Sequence, residues 1–302
     1  MGKHLVALGA TAVAAALVLA GCGDDDPENA SPSPSGTGKA PLYDELPESV
    51  RKAGVVKVGS DLLYPPMEFV RNGKPTGVDP DLAAVLGREL GVRFQFGNGS
   101  FDTLLTGLRA GEHDVVMSAM TDTKDRQEGL DPATGEKIGE DIDFVDYFRS
   151  GSSIMVKKGN PEGVKTLADL CGERVAVQSG STAYDLLQSQ RCDEPMDIEA
   201  YDTHDQAQAR LKSGEVVADV ADFPVVAYAV KTAGGGEDFE MVGEQIEAGP
   251  YGIAVLSSNT QLRDAIQAAV NAAIRDGSYG EVLKKWNVGE GAVTDATINS
   301  GT

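Results

Sequence analysis

The chain has 302 residues, 26 Lys plus Arg against 47 Asp plus Glu, a net charge of −21 and three cysteines. This acidic balance excludes a nucleic-acid footprint, which needs clustered basic residues, and excludes electrostatic attraction to anionic lipid. With three His, no CxxC pair and enough length for one large or two small cores, neither a metal site nor a cofactor is expected.

Lys3 and His4 precede the apolar run LVALGATAVAAALVLAG, which reads as a secretory signal and is short and weakly flanked for a membrane span. Its ending, Leu19-Ala20-Gly21-Cys22, resembles a bacterial lipobox. That resemblance implies a signal peptide over 1–21, cleavage before Cys22 and acylation of its thiol. The mature chain would then be tethered to a membrane without crossing it. An ordinary signal peptide cut nearby is the alternative. Residues 22–40 have scarcely an apolar side chain and cannot offset the entropy of ordering, so a disordered leash is expected there.

Beyond the leash, strands and helices alternate. Val55–Ser60 reads as a strand followed by the loop DLLYPPME. Asp79-Pro80 reads as an N-cap and first turn, opening a helix to Leu90 that Gly91 stops. Residues 92–96 read as a strand, 101–110 as a helix closed by Gly111, and 114–118 as a third strand. An irregular stretch around 131–139 precedes a strand that begins near Ser152. A second set follows: strand 174–178, helix 183–190, a strand near 197–201, helix 204–213, strand 216–221 and helix 224–232. A last strand over 249–256 leads to a helical region, 259–286, broken at Asp276-Gly277. Two βαβ sets with one return predict two α/β lobes joined by crossing strands near 149–152 and 248–251. The lobes are 41–149 with 249–290, and 150–248; residues 291–302 are left as a flexible tail.

Within this pattern the segment MSAMTDTKDR, 117–126, leaves a buried strand through a polar turn and enters a helix with Arg126 in its first turn. A guanidinium fork and helix-start N–H groups suit a small carboxylate. On spacing alone a surface Arg on an ordinary strand-turn-helix connection is the commoner arrangement. With Cys22 assigned to lipid, Cys171 and Cys192 remain as an even pair in an oxidising compartment. Strand 174–178 and helix 183–190 each span roughly 15–17 Å, so the helix end returns near the strand start and brings Cys192 towards Cys171. Two separate buried thiols are the alternative.

Laid out in this order, SDLLYPPMEF (60–69), GVDPDLAAVLGRELGV (77–92), SFDTLLTGLRAGEHDVVMSAMTDTKDRQ (100–127), IDFVDYF (142–148), VAVQSGSTA (175–183), ADFPVVAY (221–228) and GPYGIAV (249–255) resemble the extracellular solute-binding proteins of family 3. These serve ABC amino-acid uptake systems, and the resemblance covers about residues 48–288. It implies a periplasmic-binding-protein type II fold: two Rossmann-like α/β lobes with the ligand in the interlobe cleft. Arg126 matches the residue that grips the ligand's α-carboxylate, helped by groups around Ser118 and Thr121. Thr182 matches a second carboxylate contact, and Asp222 the partner of the α-ammonium. Tyr64 and Phe101 match two rings that sandwich the side chain, Asp61 stands where polar side chains are met, and Gln178 lies at the rim. Ala119 departs from the pattern, since relatives often carry a serine there.

A zwitterion needs a fixed cation and a fixed anion, and Arg126 and Asp222 would supply both only when the lobes close. The expected function is a monomeric, lipid-anchored binding protein that delivers a polar or charged L-amino acid to an ABC permease outside the cytoplasm. Asp61 and the acidity lean towards a basic or amide side chain, with Glu still open. Two other classes stay in view: a dehydratase of the cyclohexadienyl type on the same fold, and a sensory ligand-binding module acting through another protein.

Overall fold

A computed structural model describes residues 39–302; the signal peptide, Cys22 and nearly all of the leash lie outside the described residues. In chain order the elements are α1 (Glu48–Ala53), β1 (Val55–Ser60), β2 (Leu63–Tyr64), β3 (Glu68–Arg71), β4 (Lys74–Thr76), α2 (Val78–Leu90), β5 (Arg93–Asn98), α3 (Leu104–Arg109), β6 (Val115–Val116), α4 (Lys124–Glu128) and β7 (Ile142–Lys157). There follow β8 (Arg174–Gln178), α5 (Thr182–Ser189), β9 (Asp197–Tyr201), α6 (His204–Ser213), β10 (Ala218–Asp222), α7 (Phe223–Thr232), β11 (Phe239–Leu256), α8 (Thr260–Asp276) and α9 (Ser278–Trp286).

Eight strands form one sheet in the order β5-β1-β6-β11-β7-β10-β8-β9. The outer three on each side run parallel among themselves, as helical crossovers require. The two long central strands, β7 and β11, pair antiparallel with each other along both halves. Their register slips between Val242 and Ile246, between Ile246 and Gly249, and between Tyr251 and Gly252. Such irregularities bend and twist a ladder, and here they lie where the strands pass from one lobe to the other. Gly151 sits at this passage, where an added Cβ would stand 2.5 Å from the carbonyl oxygen of Ile246.

Apolar side chains divide accordingly. One core gathers β1, α2, α8 and α9 around Leu82, Tyr147 and Ile266, with a smaller cluster under α3 around Leu108 and Phe144. The second lobe has one cluster on each face of its strands, around Val175 and Leu187 on one and around Ala176 and Leu211 on the other. At the back of the lobes, Phe69 packs edge-on against Trp286 at 5.8 Å and tilts against Tyr228 of α7 at 6.4 Å. The Trp286 indole N–H donates to Asp81 at 2.6 Å.

The two α/β sets are as the sequence predicts, and Cys171 and Cys192 are disulfide-bonded with a Cα separation of 5.5 Å. Four expectations need correction. The loop 61–68 leads into a small antiparallel sheet, β2-β3-β4. The crossing strands are far longer than read, at 16 and 18 residues. Asp79 does not cap α2, whose N-cap is Gly77; its carboxylate is wholly buried and points into the lobe. Residues 291–302 are not a loose tail. Ile298 bridges to Val145, Ala296 is buried, and Asp146 accepts from the Thr297 and Ser300 hydroxyls at 3.0 and 2.6 Å.

Candidate functional site

Arg126 reaches the cleft because of how its segment leaves β6. Ala119 adopts φ +45°, a left-handed conformation uncommon for a residue with a Cβ. That turn aims the Ala119 N–H at Asp79 Oδ2, 3.0 Å away, while Asp79 Oδ1 accepts from the Tyr147 hydroxyl at 2.7 Å. Thr123 then caps α4, its side chain accepting from the Arg126 N–H at 3.3 Å. The guanidinium so placed donates to the Thr121 carbonyl at 2.7 Å and, across the cleft, to the Gly180 carbonyl at 2.9 Å. Two of its five N–H groups are thus used by main chain, and the rest remain for an anion. Burial pulls the pKa of Arg126 down, Asp185, Asp222 and Asp122 pull it back, and the group stays a cation.

The second lobe answers with the turn QSGST. Gly180 has φ +70°, and a Cβ there would come within 2.9 Å of the Asp102 Cβ on the first lobe, so the close approach depends on glycine. Ser181 caps α5 by accepting from the Tyr184 N–H at 3.1 Å. The Thr182 and Thr121 hydroxyls meet at 3.4 Å. From β10, the Asp222 N–H donates to the Tyr64 hydroxyl at 3.2 Å. Burial raises the Asp222 carboxyl above the usual range; Tyr251, Tyr64, His204 and Arg126 work in the other direction.

Seven of the residues singled out in the sequence line this one cavity: Tyr64, Phe101, Thr121, Arg126, Gln178, Thr182 and Asp222, joined by Ala119 and Ser181. Arg126 lies over the Phe101 ring at 5.7 Å. The structure does not bring Asp61 and Ser118 into the wall. Asp61 is buried directly behind it, its carboxylate accepting from Gln178 Nε2 at 2.6 Å across the lobes. Burial is the main reason its pKa is raised. Ser118 is fully buried and its hydroxyl is already engaged: it accepts from the Asp61 N–H and donates to Glu68 Oε1, both at 2.9 Å. Ser118 therefore holds Asp61 in place through its hydroxyl.

Beneath the site lies an acidic layer that sequence reading missed. Glu68 and Asp79 are wholly buried neighbours. Burial followed by the Asp79 charge pushes Glu68 well above the carboxylate range, and burial brings Asp79 to about 6 despite the Tyr147 and Ala119 donors. One proton is therefore retained between them near neutrality, as for any close carboxyl pair kept from water. His204 was missed as well. It is wholly buried at the start of α6, and its ring stands perpendicular to Tyr64 with centroids 5.4 Å apart. Among the described residues no group of three or more His, Cys, Asp or Glu is arranged to hold a metal ion.

The family model for bacterial extracellular solute-binding proteins, family 3, matches residues 56–289. The arginine-binding protein ArgT of Corynebacterium glutamicum is 30% identical over 262 residues, covering 84% of this chain and 81% of that protein. An ancestral arginine-binding protein, solved with arginine bound, is 35% identical with a TM-score of 0.70, covering 77% of this chain and 98% of that one. An ancestral amino-acid-binding protein described as a precursor of cyclohexadienyl dehydratase is 30% identical with a TM-score of 0.69, covering 79% of this chain and 98% of that one.

Proposed function

This chain belongs to the bacterial extracellular solute-binding proteins of family 3, and from that membership we propose that it captures an L-amino acid between its lobes and presents it to an ABC importer permease. One observation carries the reading: a cation, Arg126, and an anion, Asp222, stand on opposite lobes in the wall of a single cavity. A zwitterion satisfies both only when the lobes are together. Closure, which excludes water, also strengthens each charge pair. In this reading residues 41–149 with 249–290 form one closing body and 150–248 the other.

The side chain we assign is basic or amide-bearing, with arginine first. Tyr64 and Phe101 offer faces for a flat group, and the acidic Asp61, one side chain behind Gln178 of the wall, favours a cationic far end. Relatives named for arginine support that choice. We read the protein as a carrier and not an enzyme, since the cavity wall supplies a zwitterion clamp and the carboxyl held furthest above its usual range, Glu68, lies behind Ser118 and outside that wall. We further infer secretion through the first 21 residues, acylation at Cys22, and action as a tethered monomer outside the cytoplasm. Among the described residues no helix is long and apolar enough to cross a membrane.

A thermal-shift screen of the twenty amino acids tests the reading, because a ligand that binds only the folded state stabilises it by RT ln(1 + [L]/Kd). Arginine is expected to give the largest rise in Tm. Absence of a rise with any amino acid would sink the proposal.

A further inference from the structure

We propose that residues 293–301 form a strap that positions the ligand-gripping segment: the main chain at Gly301 locks Asp122, and Asp122 in turn fixes Thr121 and Arg126 for the ligand's carboxylate. The proposal deepens the amino-acid-binding reading and rests on it. The strap lies beyond the stretch that the family model matches, 56–289, so the shared fold does not account for it.

The strap is seated on an edge that would otherwise be open. Among the described residues, the first-lobe half of β7 pairs with β11 on one side, and β10 joins the other side only from Ser152 onward. An uncovered edge leaves main-chain donors and acceptors without partners. The strap supplies them. The Asp146 N–H donates to the Thr297 carbonyl at 2.9 Å and the Asn299 N–H to the Phe144 carbonyl at 3.1 Å, while the Phe144 N–H donates to Asn299 Oδ1 at 2.8 Å. Asn299 Nδ2 also donates to Asp143 at 3.0 Å, and the Ser300 N–H to Asp146 at 3.1 Å. On its far side the strap is held by α8. The N–H of buried Ala296 donates to Asn271 and its carbonyl accepts from Gln267, both at 2.9 Å.

From that seat the chain runs on towards the cleft. The Gly301 N–H donates to Asp122 Oδ2 at 2.8 Å. Asp122 is buried; its other oxygen accepts from Gln127 Nε2 at 2.7 Å, and its own N–H donates to the Pro250 carbonyl at 2.8 Å. The carboxylate therefore ties the strap to Gln127, the residue after Arg126 on α4. It also stands one residue from Thr121, whose carbonyl receives the Arg126 guanidinium. The fit depends on glycine at 301, since an added Cβ would run into the Asp122 carbonyl oxygen. Beyond it, Thr302 lines a cavity that shares Thr121, Thr182 and Asp222 with the ligand cavity. With both oxygens engaged, the Asp122 side chain cannot swing without leaving a buried polar group unpaired. Such fixing matters to a guanidinium fork, whose two-point grip tolerates little displacement of its root.

Gly301→Ala unseats the strap's end and alters no side chain of the ligand cavity. Two readouts separate positioning from general support of the fold. In the unliganded full chain, amide hydrogen exchange over 121–127 should quicken in the variant while that of β8 in the second lobe keeps its wild-type rate. By calorimetry, L-arginine should bind Gly301→Ala about tenfold more weakly, as loss of a hydrogen bond to a charged group predicts. In an Arg126→Ala background the same substitution should change affinity by less than about twofold, because the group it positions is gone. Asp122→Asn, which leaves one oxygen for two donors, should reproduce the loss, and adding Gly301→Ala to it should weaken binding little further. Unchanged exchange over 121–127, or an equal loss of affinity with and without Arg126, would overturn the proposal while leaving amino-acid binding intact. If the wild type takes up neither arginine nor any other amino acid, the binding reading falls and takes this one with it.

Discussion

The Arg126 guanidinium, rooted in the first lobe, donates at 2.9 Å to the carbonyl of Gly180 in the second, so the residue proposed to grip the ligand also ties the lobes together. Removing it should act twice, on the ligand's carboxylate and on closure. Arg126→Ala is expected to cost about 3–5 kcal/mol, roughly two to four decades in affinity, because a carboxylate would be left buried and unpaired. Calorimetry with arginine measures this directly. A loss under about tenfold would remove Arg126 from the carboxylate contact.

The buried acids make an asymmetric prediction. Burial and the Asp79 charge hold the Glu68 carboxyl well above the usual range, and an amide reproduces its protonated form: one oxygen for Ser118 and donors towards Asp79. Glu68→Gln should therefore change stability by no more than about 1 kcal/mol. Asp79→Asn is different, since an amide nitrogen would face either the Tyr147 hydroxyl or the Ala119 N–H, both of which donate to the carboxylate. It should cost about 2–4 kcal/mol and loosen the turn that carries Arg126. Denaturant melts of the two variants decide the matter, and equal losses would contradict the assignment.

The wild type should also lose stability with rising pH in a defined window. Asp79 and Asp122 both have pKa values raised to about 6 by burial, above the unfolded carboxylate value. A group that holds its proton more tightly when folded contributes stability below its unfolded pKa and loses it as pH climbs through the folded one. Melting temperature should thus decline between about pH 4 and about pH 7 from these two sites. A rise across that interval would contradict the direction of both shifts.

Ligand binding should respond to acid in the opposite sense. Burial raises the Asp222 carboxyl, so it protonates, and releases an ammonium, at a higher pH than an exposed aspartate would. Affinity for a ligand with a neutral side chain should fall on acidification before that reference point is reached. Asp222→Asn should bind weakly at neutral pH and lack this acid limb. An unchanged limb in the variant would assign it to another group.

How far the sequence carried these conclusions depends on the kind of signal. Alternation of strands and helices was legible for β8 and α6 to the residue, because caps, glycines and apolar periodicity agree there. The small sheet β2-β3-β4 was not, since strands of two to four residues are too short to show a period. Asp79 looked like a cap because Asp-Pro at a helix start usually is one; only the folded backbone reveals that Ala119 and Tyr147 claim its oxygens. The engagement of the Ser118 hydroxyl with Asp61 and Glu68 was not legible either, as a hydroxyl's partners cannot be read from its neighbours in sequence. His204 gave no local sign whatever: a polar residue opening a polar helix, paired with an aspartate on a different strand.

The aromatic cluster behind the cleft has a practical corollary. The sequence holds a single Trp, and Phe69 connects its indole to Tyr228 on the opposite lobe. Swinging the lobes apart should therefore alter the packing around one chromophore and nowhere else among indoles. Emission excited at the indole band becomes a label-free gauge of opening and closing in solution, without dyes or engineered cysteines. Mixing with arginine in a stopped-flow cell should give one optical transient whose rate saturates with ligand, and Tyr228→Ala should blunt its amplitude.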